Sequence, residues 1–388
     1  MEKMKISISK FLLLILCFSV FLGSSESLAA KTKTQSKSAS GQLVYISIPT
    51  PSLEKSILGD ATSQPAVVYL PPSYAEGKKN YPVVYYLSGW GNDFKSLANG
   101  DFNGFKLNET MDKLIKSGKA KDMIIVAPSG ISAFFAPYYV NSPVTGNWED
   151  YVVKDMVKYI DSKYRTIQNP KGRGITGHSM GGFGALNAAM KHPDVFGSVY
   201  ALSPGLYDKN GLTTHGLFTE KSIKEYFDLQ KEFEAKPVDE ARKELKDAYV
   251  NWRYSWEFFF NVSYGSAFSP NPDNVFPLNY PYSMKDGKPV LDKKLWDEWQ
   301  NNGFGSIESQ VKKYKNNFLK LNGIGIEYGT KDENTFIVDG SKSLAKEFKK
   351  SHISCSLDTF DGKHIDKLGE RLEKAMIPFF SKKLASKK

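Results

Sequence analysis

The sequence predicts an α/β fold, with a mainly parallel sheet and helices on both faces. Three observations carry that expectation. Short, wholly apolar runs recur, most clearly Val83-Val84-Tyr85-Tyr86-Leu87 and Met123-Ile124-Ile125-Val126-Ala127. Strands buried on both faces read this way, whereas half-exposed strands alternate. Other segments carry apolar residues three or four apart: Val152, Val153, Met156, Val157, Ile160 and Tyr164 form one helical stripe, and Leu368, Leu372, Met376 and Phe379 another. Finally, runs and stripes alternate along the chain, as a parallel sheet requires.

The first residues read differently. Lys3, Lys5 and Lys10 precede the apolar run Phe11 to Gly23, and Ser27-Leu28-Ala29 follows. That is the three-part pattern of a secretory signal, and the run is short for a membrane span. Cleavage is expected near Ala29, with an uncleaved anchor as the alternative. A lipid anchor at Cys17 is rejected, because Leu16 stands where a small residue is needed. Residues 1–29 are therefore expected to be a signal peptide and 30–41, polar and lysine-rich, a flexible linker. The domain is expected over 42–388, exported and without a stable membrane span.

Within the domain, Leu43 to Ile48 and Ala66 to Leu70 read as strands with no helix between them, so they are expected antiparallel at the sheet edge. Val83 to Leu87, Met123 to Ala127, Ser198 to Leu202 and Ile324 to Tyr328 follow as sheet strands, and Ser354 to Phe360 is the last. Residues 206–320 break the rhythm. They hold charged helical segments from Glu220 to Asp247, then aromatics and prolines including Trp252, Trp256, Phe260 and Tyr282. A loop of that length is rarely structureless. It is expected to be a cap-like insertion over the C-terminal ends of the strands, its aromatics forming either a pocket wall or a small core of their own.

Composition narrows the class further. With 41% hydrophobic and 24% charged residues, the chain is globular rather than disordered. The net charge of +10 is compatible with an anionic cell-wall or polysaccharide surface, or simply with a lysine-rich soluble exterior. No zinc-finger spacing, aromatic RNA-binding motif or basic helix points to nucleic acid. Behind the expected cleavage site only Cys355 remains, which excludes an internal disulfide and a cysteine-rich metal site. It reads as a small buried apolar residue in the last strand.

The strongest local signal is Gly177-His178-Ser179-Met180-Gly181, directly after a short strand candidate and before a small-residue helix, Gly184 to Met190. A strained strand-to-helix turn of this kind exposes a serine hydroxyl and predicts the α/β-hydrolase fold. The serine needs a base. Of the five histidines, His178 adjoins Ser179 and should point away, His192 ends a helix, His215 lies in the insertion and His352 precedes a strand. His364 follows the last strand, where this fold places its base. The acid is expected on the loop after Ile324 to Tyr328, with Asp332 first, Glu333 next and Asp208 outside. The oxyanion donors are expected to be the backbone N–H of Met180 and, from Ser88-Gly89-Trp90, that of Trp90. The Trp90 side chain can also pack the pocket wall.

On these residues the chain resembles the esterase D-like family of α/β-hydrolases, which includes feruloyl and acetylxylan esterases, S-formylglutathione hydrolases and secreted mycolyltransferases. The resemblance rests on Tyr81 to Gly89, Trp148-Glu149-Asp150-Tyr151, Tyr159 to Arg165, Gly177 to Leu186, His192 to Phe196, Gly329-Thr330-Lys331-Asp332 and Gly362-Lys363-His364. Ser88-Gly89 stands where the family usually has His-Gly, and the 206–320 insertion exceeds the family minimum. The resemblance implies ester hydrolysis or acyl transfer without metal or cofactor. The expected function is a secreted serine carboxylic-ester hydrolase acting on a small-molecule or polysaccharide-linked ester. The alternatives are an acyltransferase passing the acyl group to a sugar or lipid alcohol, and a non-catalytic surface-binding module.

Overall fold

A computed structural model describes residues 40–385. The expected signal segment and all but the last two residues of the expected linker lie outside the described residues. Among those described, no helix is long and apolar enough to cross a membrane.

Eight strands form one sheet: β1 Gln42–Pro49, β2 Ser63–Leu70, β3 Val83–Leu87, β4 Ile124–Pro128, β5 Arg173–His178, β6 Ser198–Leu202, β7 Gly323–Gly329 and β8 Ser356–Phe360. Their spatial order is β1-β2-β4-β3-β5-β6-β7-β8. β1 pairs antiparallel with β2, and β2 antiparallel with β4. Every other pairing is parallel. This is the α/β-hydrolase fold that the serine turn and the run-and-stripe pattern predict. β3, β4, β5 and β6 are buried along their whole length, which is why β3 and β4 read as unbroken apolar runs; β5, Arg173-Gly174-Ile175-Thr176-Gly177-His178, is buried without reading so. β8, at the edge, is exposed at four of its five residues and begins two residues later than expected. Cys355 therefore sits just outside the strand, half-buried, its thiol on the carbonyl of Ser356 and pushed up to about 12 by burial.

Alternating side chains feed two cores. Val83, Tyr85 and Leu87 of β3 join the larger cluster, and Val84 and Tyr86 the smaller one on the opposite face. The smaller core is closed by helix α1, Leu107–Lys116, and by the C-terminal helical run that starts at Leu368. That run contains a π turn, Leu372–Met376. A π turn takes in one extra residue. The apolar stripe shifts accordingly, burying Ile377 and Phe380 fully, while Phe379 is half-buried against the Tyr200 ring 5.0 Å away.

Helix α2, Met180–Lys191, starts one residue after β5 and is buried over nearly its full length. The stretch between β6 and β7 holds four longer helices: α3 Glu220–Glu234, α4 Val238–Asn251, α5 Trp256–Phe268 and α6 Lys293–Asn302. Residues 258–268 of α5 are all buried, so this helix has no polar face. Most aromatics here pack on one another, as Tyr226 does on Tyr280 in a parallel stack at 3.7 Å. Tyr138, from the loop after β4, enters the same cluster against Phe260, Tyr264, Phe268 and Phe304.

Candidate active site

β3 lies between β4 and β5, so the loops after β3 and β5 leave neighbouring strand ends at the point where strand order reverses. A crevice forms at such a place. Ser179 stands at its edge, the single residue between β5 and α2, with φ 57° and ψ −118°. A non-glycine residue held there costs roughly 1–3 kcal/mol. The surroundings fix it: its N–H donates to Leu202 O at 2.9 Å, and its carbonyl accepts from Gly205 N at 3.0 Å and Phe183 N at 3.1 Å. The flanking glycines are steric requirements. A Cβ on Gly181 would lie 2.0 Å from Leu87 O, and one on Gly177 2.4 Å from the Gly181 carbonyl. The helix starts at Met180, four residues earlier than expected. This puts the Met180 N–H at a helix N-terminus, where it donates to no other group among the described residues. The Trp90 N–H is likewise unpaired among the described residues. Its indole packs on Phe135, Trp252 and Phe260 and donates to Ser263 Oγ at 3.3 Å.

The structure brings His364 and Asp332 together. His364 Nδ1 lies 2.8 Å from Asp332 Oδ2, and the Asp332 side chain is wholly buried. The other Asp332 oxygen accepts from Asn334 N at 2.9 Å. Glu333 instead accepts from the backbone N–H of His364 at 3.1 Å. Asp208 holds its own turn, accepting from Asn210 N at 2.9 Å. With Nδ1 facing a carboxylate, Nε2 of His364 is left to face the pocket. Among the described residues Ser179 Oγ and His364 Nε2 have no hydrogen-bond partner, neither is sealed off, and both residues line one pocket of about 230 Å³. Such contacts are often loose without substrate.

A second layer supports His364, and the sequence reading missed it. The buried His178 donates through Nε2 to His364 O at 3.1 Å, its ring 4.6 Å from the His364 ring. Burial, with His364 and Arg371 nearby, holds His178 well below the ordinary histidine range, hence neutral. Arg371 donates to the same carbonyl at 3.2 Å, pairs with Glu327 and donates to Ser203 Oγ at 2.8 Å. Tyr200 completes the cluster by donating to Glu327 at 2.9 Å. The available signal was Glu327, a charge inside the apolar run Ile324 to Tyr328.

His192 belongs to a separate clamp. Its Nε2 and the amine of Lys191 lie 2.9 and 2.7 Å from Glu149 oxygens, with Asn187 at 2.9 Å. Burial alone would raise the Glu149 carboxyl; His192, Lys191 and Asn187 outweigh it and hold it at about 2. His215, in contrast, reaches the pocket from the insertion, together with Trp256, Phe260 and Phe304. The insertion's aromatics thus form a core and a pocket wall at once.

The Esterase family model matches residues 62–364. The chain belongs to the Esterase family. Among curated relatives, an endo-1,4-beta-xylanase/feruloyl esterase of Xylanibacter ruminicola is 32% identical over 148 residues, 37% of this chain and 20% of the relative. A diacylglycerol acyltransferase/mycolyltransferase of Mycobacterium leprae is 28% identical over 172 residues, 42% and 44% of the two chains. The chain therefore spans less than half the length of these relatives. A solved ferulic acid esterase superposes with TM-score 0.59 at 20% identity, covering 89% of this chain and 99% of that one, which shows a common fold.

Proposed function

We propose that the chain is a secreted serine carboxylic-ester hydrolase working through an acyl-enzyme. Ser179 Oγ attacks the ester carbonyl as His364 Nε2 takes its proton. Asp332 holds the imidazole tautomer and stabilises the imidazolium that forms. The Met180 and Trp90 N–H groups receive the developing oxyanion. His364 then protonates the departing alcohol. Water, deprotonated by the same imidazole, attacks the acyl-enzyme, and Ser179 regains its proton as the acid leaves. The observation that carries this reading is the strained Ser179 turn opening on the same pocket as a histidine bonded to a buried carboxylate.

Residues 206–320 act in this reading as a cap that supplies the acyl-binding wall. Trp256, Phe260 and Phe304, joined by Phe336 from outside that segment, favour a flat aryl acid, in keeping with the feruloyl esterase among the relatives. Export rests on the N-terminal pattern, and N-terminal sequencing of the secreted chain should begin near Ala30. Hydrolysis of p-nitrophenyl acetate should fall by roughly 10⁴- to 10⁶-fold in Ser179→Ala. Full activity in that variant would sink the proposal.

Acyl transfer is a second reading, favoured by the similarity to the Mycobacterium leprae mycolyltransferase. It uses the same residues with a sugar or lipid alcohol in place of water. Added alcohol acceptors should then divert product from free acid to new ester; hydrolysis indifferent to every acceptor counts against it.

A further inference from the structure

A second cavity, of about 280 Å³, lies behind the aromatic wall of the Ser179 pocket. Phe183 and Phe268 line it, and they pack on Phe304 and Tyr138 of the first pocket, each pair of rings 5.2 Å apart. Among the described residues none lines both cavities. Asn187, on α2, is 2% exposed and Ser306 4%. The orientation of the Asn187 amide is fixed by Glu149. Its Nδ2 donates to Glu149 Oε2 at 2.9 Å, and a carboxylate held ionised can only accept. Oδ1 is therefore the atom turned away from Glu149. Among the described residues Asn187 Oδ1 and Ser306 Oγ have no hydrogen-bond partner, and neither is sealed off. Both residues line the second cavity, so two oxygens of buried side chains open onto it. Buried polar groups are normally bonded. The half-buried amide of Gln310 adds a donor and an acceptor to the lining. Of the described lining residues only Glu149 and Lys191 ionise, and they meet each other at 2.7 Å. The cavity thus offers no unpaired charge to an ion. It is near the lower limit of small-molecule sites, a size that suits one small ring.

We infer that this cavity is a second binding site, separate from the Ser179 pocket, for a single neutral sugar unit. Asn187 Oδ1 accepts from one sugar hydroxyl, Ser306 Oγ and the Gln310 amide bond others, and Phe183 and Phe268 meet the C–H faces. Hydroxyls fit because each both donates and accepts, as this mixed lining requires. The inference does not rest on the esterase reading, since it uses no group to which that reading gives the chemistry.

The test titrates two pentoses, D-xylose and L-arabinose, and two hexoses, D-glucose and D-galactose, into the full chain by ligand-observed NMR, before and after fluorophosphonate treatment. At least one sugar should bind with a Kd of roughly 1–10 mM, and treatment should change that Kd by less than about twofold. Asn187→Leu should weaken binding by about 5- to 10-fold. Ser306→Ala, which removes only a hydroxyl, should weaken it by about threefold and keep p-nitrophenyl acetate hydrolysis within about twofold of the wild type. It decides the matter if Asn187→Leu does not fold. Sodium phosphate and ammonium chloride should not displace the sugar. Binding lost on treatment places the sugar in the catalytic pocket and overturns the inference, as do displacement by either ion, a Kd unchanged in the folded variants, or no sugar bound below about 100 mM. If the probe leaves Ser179 unlabelled, the esterase reading fails, while the two variants still decide the second site.

Discussion

The two walls of the pocket are built on opposite principles. The sheet-side wall holds the groups to which the proposed reading gives the chemistry: Ser179, the His364–Asp332 pair and the N–H groups of Met180 and Trp90. Each is locked by backbone bonds or by a second layer, the His178–Arg371–Glu327 cluster being the clearest case. The insertion-side wall is aromatic, with His215 its one imidazole, and that imidazole has a phenol rather than a carboxylate for a partner. Of the three histidines lining the cavity, His364 and His215 thus have different roles available to them. A carboxylate at Nδ1 fixes which ring nitrogen is left for the pocket. A phenol and apolar neighbours favour a ring that stays neutral. In the proposed reading, the contrast separates where chemistry is set from where the acyl group is selected.

The largest effect that tests this contrast is Asp332→Asn. It should lower kcat by about 10⁴-fold with little change in KM, because the imidazole is then held in the wrong tautomer. Glu333→Gln should cost far less, since Glu333 meets only the backbone N–H of His364. Equal losses in the two variants would erase the distinction between first and second carboxylate.

Next in size is Arg371→Met. It leaves Glu327 charged and buried, and should destabilise the fold by about 3–5 kcal/mol in urea unfolding. Pairing it with Glu327→Gln should recover part of that loss. On the other wall, Trp256→Ala should lower kcat/KM for aryl esters by roughly 3- to 20-fold and for acetyl esters much less. Trp256 is 45% exposed, so its removal should barely change stability. A uniform loss across acyl groups would remove the insertion from selection.

A last effect is in pH dependence. His215 has its folded value at about 3 against an ordinary 6.5, so below pH 6.5 the unfolded chain binds the proton that the folded chain refuses. Its contribution to stability is complete above 6.5 and is lost progressively as pH falls towards 3. The Tm of the wild type should drop more between pH 7 and 4 than that of His215→Phe. Glu149, lowered from 4.5 to about 2, follows the same sign in a lower window. Its contribution is lost as pH falls from about 4.5 towards 2, so Glu149→Gln should flatten the curve only there.

The parts legible in the sequence were those governed by local rules. β3 and β4 are buried on both faces, and their apolar runs say so. The Ser179 turn is dictated by steric contacts two residues either side, and the glycines record them. His364 and Asp332 were reached through strand order, a property of the topology. Other features depend on contacts between distant segments. The late start of β8 reflects an exposed edge where apolar pattern gives no guide. The exchange of Phe379 for Phe380 comes from a π turn, which no helical period announces. His215 lies in a short segment with no distinguishing motif, and only the folded chain brings it to the pocket that Ser179 also lines. His178 was expected to point away from the serine; that it then carries the His364 loop depends on a hydrogen bond between residues 186 positions apart.

The most direct test of the central claim is covalent. The folded chain would be treated with a fluorophosphonate probe, and the adduct located by mass spectrometry after digestion. One phosphonyl group should appear on the peptide containing Ser179, and none in Ser179→Ala. A folded wild-type chain that takes no adduct, or takes it on another residue while Ser179 stays unmodified, would contradict the assignment of Ser179 as the nucleophile.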